Sequence, residues 1–152
     1  MNDGRWINRL VETSSPEETI DLGGSLAGEL RAGDVLVLEG PLGSGKTVLV
    51  RGIVAGLGGD SRLVGSPTFG LAHEYPVHER LKVVHVDCYR INGPSDLDSI
   101  GWESFAGQED AITIVEWGSR ISDVLGGDTL VIDAGHTGDT SRIFEIGAQM
   151  AK

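Results

Sequence analysis

Eight consecutive residues, Gly40-Pro41-Leu42-Gly43-Ser44-Gly45-Lys46-Thr47, constrain this chain more than any other feature in it. They satisfy G-x-x-x-x-G-K-[ST], and a turn so dense in glycine suits a place where another group must approach the backbone closely. The flanks agree. Val35-Leu36-Val37-Leu38 is a continuous apolar run, as in a buried parallel strand. Lys46 to Leu57 reads as a helix, with Leu49, Ile53 and Leu57 on one face and Gly58-Gly59 as its stop. A strand that runs through a glycine loop into a helix is built for phosphate: backbone N–H groups curl around phosphate oxygens, and the helix N-terminus adds partial positive charge. Gly43, Ser44, Gly45, Lys46, Thr47 and Val48 are therefore the residues expected to hold a nucleotide. Lys46 would reach the β- and γ-phosphates, and the Thr47 hydroxyl would ligate magnesium.

The remaining pattern fits an α/β chain. A first strand is expected over Trp6–Val11, and Ser15-Pro16-Glu17-Glu18 reads as a helix start. Ser15 is its N-cap, Pro16 its first helical residue and Glu18 the closing member of a capping box, with the end near Leu30. Further strands are expected at Thr68–Tyr75, Leu81–Asp87, Ala111–Glu116, Thr129–Ala134 and Arg142–Ile146, with short helical pieces at Ser95–Ile100 and Trp102–Ala106. The last two strands, joined through Gly135 to Thr140, read as an antiparallel addition to a sheet that is parallel at its centre. The expected architecture is a three-layer P-loop NTPase-type fold with a C-terminal hairpin, in one domain over residues 1–152, a length that suits a single core.

Phosphoryl chemistry also needs a carboxylate at the tip of a neighbouring strand. Two are present: Val83-Val84-His85-Val86 leads into Asp87, and Ile112-Thr113-Ile114-Val115 leads into Glu116. Both would lie at the carboxyl edge of a parallel sheet, where ligands of open α/β folds sit. Lys46, Asp87 and Glu116 are the candidate catalytic residues, with Thr47 and Glu116 the candidate magnesium ligands. The Asn/Thr-Lys-x-Asp element of guanine-specific P-loop proteins is missing, which favours ATP.

Charge limits the partners. Twenty-three acidic residues against 12 basic ones give a net charge of −11, which opposes direct contact with a nucleic-acid backbone. With one cysteine, Cys88, and four scattered histidines, neither an internal disulfide nor a zinc site is expected. No apolar run suggests a signal peptide or a membrane span, and a cytoplasmic protein is expected.

Several separated motifs together resemble the ATPase of bacterial tRNA threonylcarbamoyladenosine biosynthesis, the family called TsaE. They are the Gly40–Thr47 loop, Ser66-Pro67-Thr68-Phe69 leading to Glu74-Tyr75, His85-Val86-Asp87-Cys88-Tyr89-Arg90, Gly101-Trp102-Glu103-Ser104-Phe105 and Val115-Glu116-Trp117. The resemblance implies that Thr47 and Glu116 bind magnesium, that Ser66 to Thr68 form a switch-like segment and that Asp87 lies near the attacking water. It makes Trp117 the tryptophan beside the nucleotide site, with plain core packing as the other reading, and Arg142 a nucleotide contact from the final hairpin. It also implies two protein partners, TsaB and TsaD, and a link to tRNA only through that complex. Pro41 stands where the family usually has an acid, and Gly118 where proline is frequent.

The expectation is thus a partner-stimulated, magnesium-dependent ATP hydrolase. Two other readings stay open on sequence: a small P-loop kinase, and a nucleotide-dependent binding switch with negligible turnover.

Overall fold

A computed structural model describes residues 6–41, 43–65, 72–92 and 94–148. Seven strands form one sheet: β1 (Arg9–Thr13), β2 (Val35–Glu39), β3 (Ala72–Pro76), β4 (Lys82–Asp87), β5 (Ala111–Glu116), β6 (Leu130–His136) and β7 (Arg142–Ile146). Their order across the sheet is β1-β7-β6-β2-β5-β4-β3. The central strands β6, β2, β5 and β4 run parallel, while β3, β7 and β1 pair antiparallel at the two sides. Every residue of β5 is buried, as expected of a strand covered on both faces whose run Ala111–Val115 is apolar but for Thr113.

Helices α1 (Pro16–Ala27) and α2 (Lys46–Gly56) cover one face. Buried Thr19, Gly23, Leu26 and Ala27 make the inward stripe of α1, and Leu49, Val50, Ile53 and Val54 that of α2. The two helices touch closely because glycine lines the seam: a Cβ at Gly23 would stand 2.5 Å from the Leu49 carbonyl oxygen. The other face is covered by α3 (Trp102–Phe105) and by 3-10 turns at Pro94–Ile100 and Gly118–Val124. A core therefore lies on each side of the sheet, one built around Leu36, Leu38, Ile112, Ile114 and Phe144, the other around Val37, Val84, Val86, Trp102 and Val115.

Several boundaries differ from the sequence expectation. The first strand runs over Arg9–Thr13 rather than Trp6–Val11, because its register is set by antiparallel pairing with β7, from Arg9↔Ile146 to Thr13↔Arg142. Helix α1 ends at Ala27, three residues short of Leu30. Ser15 is the N-cap and accepts the Glu18 N–H at 3.1 Å, but Glu18 returns its own bond to the Ser14 N–H at 2.8 Å, one residue further out than a capping box. Of the strand expected over Thr68–Tyr75, the described portion runs Ala72–Pro76; Thr68–Leu71 and the switch-like Ser66–Thr68 lie outside the described residues. No helix among the described residues is long and apolar enough to cross a membrane.

Candidate functional site

The strand order puts the sequence candidates side by side. Because β2, β5 and β4 are parallel neighbours, their carboxyl ends share one edge, with Leu38 opposite Glu116 and Glu116 opposite Asp87. The glycine loop leaves β2 at that edge and turns into α2. Gly45 is the N-cap of α2 in the left-handed region at φ +96°, with no side-chain cap and no acidic residue in the first turn. A Cβ there would be strained and would stand 3.3 Å from Phe144. The first N–H groups of a helix have no intrahelical acceptor, so this end faces the cavity as a set of backbone donors.

A cavity of about 350 Å³ opens against these donors. Gly43, Gly45, Lys46, Thr47 and Val48 line one wall, Asp87, Glu116 and Trp117 another, and Arg142 with Asp139 and Thr140 a third. Pro16 and Thr19 of α1 close the side. Of the residues expected to hold nucleotide, Ser44 alone does not line this space; it is fully buried beneath the loop, and its hydroxyl has no partner among the described residues.

Lys46 is buried, only 8% exposed. Its Nζ donates to the Gly40 carbonyl at 2.7 Å, lies 3.3 Å from Glu116 Oε1 and sits 5.3 Å from the centre of the Trp117 ring. The opposite oxygen of Glu116, Oε2, is 2.7 Å from Nε2 of His85. Burial works against ionisation of Glu116, but the His85 bond and charge, together with Lys46, outweigh it and hold the carboxyl below its ordinary value.

Asp87 lies next to this group and serves a turn as well, since its Oδ1 accepts the Tyr89 N–H at 2.9 Å. Trp117 is half-buried: it lines the cavity and also packs on the second core, so both roles raised for it are physically compatible. Tyr89 meets it edge-on at 5.0 Å. Arg142 turns toward the loop. Its Nε donates to the Gly43 carbonyl at 3.1 Å and its Nη1 to the carbonyls of Ser141, Asp139 and Gly138, which ties the final hairpin to the P-loop. Arg90 is exposed and does not line the cavity.

The family model described as Threonylcarbamoyl adenosine biosynthesis protein TsaE matches residues 13–144. The chain belongs to the TsaE family. Among curated relatives, the tRNA threonylcarbamoyladenosine biosynthesis protein TsaE of Bacillus subtilis is 38% identical over 130 residues, 86% of this chain and 79% of that one. The protein of the same name from Mycobacterium leprae is 39% identical over 116 residues, 72% of this chain and 71% of that one. That of Treponema pallidum is 34% identical over 84% of this chain and 92% of its own length. The crystal structure of Bacillus subtilis YdiB superposes with a TM-score of 0.69 at 32% identity, covering 93% of this chain and 85% of that chain.

Within this TsaE-family chain two further residues join the site. His85 is buried among the valines of β4, and an imidazole in the run Val83-Val84-His85-Val86 is the signal that could have marked it. Glu39, the last residue of β2, accepts the Ser119 N–H at 3.2 Å. Burial raises its carboxyl above the usual range against the lowering effect of the Ser119 and Gly118 backbone bonds. The Gly118 departure from the family pattern also has a physical reason here: a Cβ at that position would stand 2.7 Å from a Val37 methyl on β2. Trp117 before it adopts a left-handed φ of +61°, uncommon for a non-glycine residue and of the kind found at functional turns.

Proposed function

We propose that this chain is a magnesium-dependent ATPase subunit supporting threonylcarbamoyl modification of adenosine 37 in tRNAs that read A-starting codons, acting with TsaB and TsaD in the cytoplasm. One observation carries the reading: in a TsaE-family chain, the P-loop lysine and threonine share a single cavity with two carboxylates at adjacent strand ends. The donors suit the metal. Thr47, Glu116 and Asp87 present hard oxygens to the same space, the type magnesium takes together with water and phosphate oxygens. Thr47 and Glu116 would hold the ion, whose contribution when bound is to offset charge on the phosphate oxygens.

The rest of the chemistry belongs to the chain. The open amino-terminal donors of α2 take the phosphate oxygens, and Lys46 leaves the Gly40 carbonyl and Glu116 for the β- and γ-phosphates. Asp87 orients a water toward the γ-phosphorus, whose bond to the β,γ-bridging oxygen breaks as the new P–O bond forms, so that ADP leaves and the water's proton passes to a phosphate oxygen. Arg142 keeps Gly43 in place while its guanidinium is engaged by carbonyls. Among the described residues, the cations lining the cavity are thus a lysine in an ion pair and an arginine committed to the loop. This supports a slow intrinsic rate and a partner that completes the site, for which gains on the order of 10³–10⁵ are known in P-loop enzymes. The same fact keeps a binding switch with negligible turnover as the second reading.

Phosphate release by the chain alone and with added TsaB and TsaD tests the proposal, with modified tRNA measured alongside. Acceleration by the partners and ATP-dependent modification are expected. Full-speed hydrolysis by the lone chain, or tight salt-sensitive binding of tRNA without partners, would remove the partner-dependent part.

A further inference from the structure

His85 is the buried ionisable group at the site for which hydrolysis itself has no task. The ring is 0% exposed, in a strand whose neighbours Val83, Val84 and Val86 are all buried valines. Its Nε2 meets Glu116 Oε2 at 2.7 Å, and its Nδ1 is buried with no partner among the described residues. Glu116 is therefore held from two sides by groups of different mobility. On Oε1 is Lys46, a long flexible side chain that must move to reach phosphate; on Oε2 is a ring locked in a β-strand and flanked by the Tyr75 ring at 6.3 Å.

We propose that His85 is a positioning residue, which holds Glu116 by Oε2 so that Oε1 stays turned into the cavity after phosphate has drawn Lys46 away. The proposal rests on the nucleotide-binding reading above. A carboxylate that has lost its lysine and has no second anchor is free to turn about its side-chain torsions, and a rigid donor on its far oxygen removes that freedom. Outer partners of this kind commonly change metal affinity by about 10–100-fold when removed.

The test is a titration of the full chain with ATP and ADP, in magnesium and in EDTA, for wild type, His85→Leu and His85→Gln. For His85→Leu, the gain in affinity on adding magnesium is expected to shrink at least ~10-fold, with EDTA affinity within ~2-fold of wild type. His85→Gln, whose amide can still donate, is expected to recover most of the gain. A folded His85→Leu with the full magnesium gain would overturn the proposal, leaving His85 as core filling. A second readout needs no variant: in the ¹⁵N-labelled wild type, the His85 Nε2–H signal should persist when a non-hydrolysable ATP analogue and magnesium are added. Its loss on loading overturns the proposal even where His85→Leu does not fold. The two readings also separate, since a wild type that binds no ATP takes both down, whereas a nucleotide-binding wild type with a dispensable His85 removes this one alone.

Discussion

Helices α1 and α2 lie against each other on one face of the sheet, yet their amino-terminal turns are finished in opposite ways. In α1 the Ser15 hydroxyl accepts the Glu18 N–H, Glu18 folds back on the Ser14 N–H, and Glu17 and Glu18 put negative charge at the positive end of the helix dipole. In α2 the corresponding cap is Gly45, which has no side chain to offer, and no acid stands in the first turn. The first arrangement satisfies the helix from within. The second gives up a side-chain cap, which with glycine in its place costs only roughly a few tenths of a kcal/mol, and leaves the donors for something that arrives from outside. The charges follow the same contrast: Lys46, the first residue of α2, is paired with Glu116 at the cavity, whereas Arg9 and Glu29, the ion pair linking β1 to the loop after α1, are exposed and do not line that cavity.

The strongest way to break this comparison is Lys46→Ala. Turnover should fall by ~100-fold or more and nucleotide should bind much more weakly, because the main mobile cation of the open end is gone. The ligand-free chain should also melt at a lower temperature, since Glu116 would keep only His85 as a buried partner. Hydrolysis at the wild-type rate by a folded Lys46→Ala, followed by phosphate release, would end the claim that α2 opens onto a nucleotide site.

Glu116→Gln comes next, with loss of both turnover and magnesium dependence expected, smaller than the loss for Lys46→Ala. It carries a pH signature as well. The carboxyl of Glu116 sits below its ordinary value of 4.5, so the folded chain holds that proton more weakly than the unfolded one. Its stabilisation is present above 4.5 and is lost as the pH falls through the lowered value. Melting temperatures across that acid range should therefore decline less steeply for Glu116→Gln than for wild type, and parallel declines would show that the lowered carboxyl lies elsewhere.

Arg142→Ala should have a smaller effect, since it frees the Gly43 carbonyl and loosens the hairpin without removing a group that faces phosphate. A loss of about 5-fold in ATP affinity, near 1 kcal/mol, is expected by titration. A turnover defect larger than the affinity defect would instead place Arg142 at the reacting phosphate. The smallest change, Ser15→Ala, sharpens the comparison from the other side. It should cost about 1 kcal/mol of stability and lower the melting temperature by roughly 2–4 °C. ATP affinity should stay at its wild-type value, and a drop as large as that of Arg142→Ala would mean that the two helix ends are not functionally distinct.

Much of the site could be read before any coordinates, because its signals are short-range. The glycine loop, the apolar run into it and the helix after it occupy consecutive residues, and the acids Asp87 and Glu116 each close an apolar run of their own. The β5 and β7 boundaries, Ala111–Glu116 and Arg142–Ile146, were legible for the same reason. Strand β1 was placed early because its ends depend on β7, more than a hundred residues away, and nothing within Trp6–Thr13 encodes that register. His85 was passed over because alternation along a strand tells which way a side chain points but not what stands there, and its partner Glu116 lies 31 residues on.

The amino-acid sequence alone thus determined the chemistry available to this protein: a phosphate loop, a lysine, a threonine and two strand-end carboxylates, each fixed by local pattern and spacing. Tertiary structure decided how they are wired. Adjacency of β2, β5 and β4 is a property of the sheet, and it alone brings Lys46 to Glu116 and Glu116 to His85. The same adjacency seats Gly118 against Val37. Periodicity and capping report energies within a few residues of chain, while a buried ion pair and its anchoring ring depend on which distant strands become neighbours when the sheet closes.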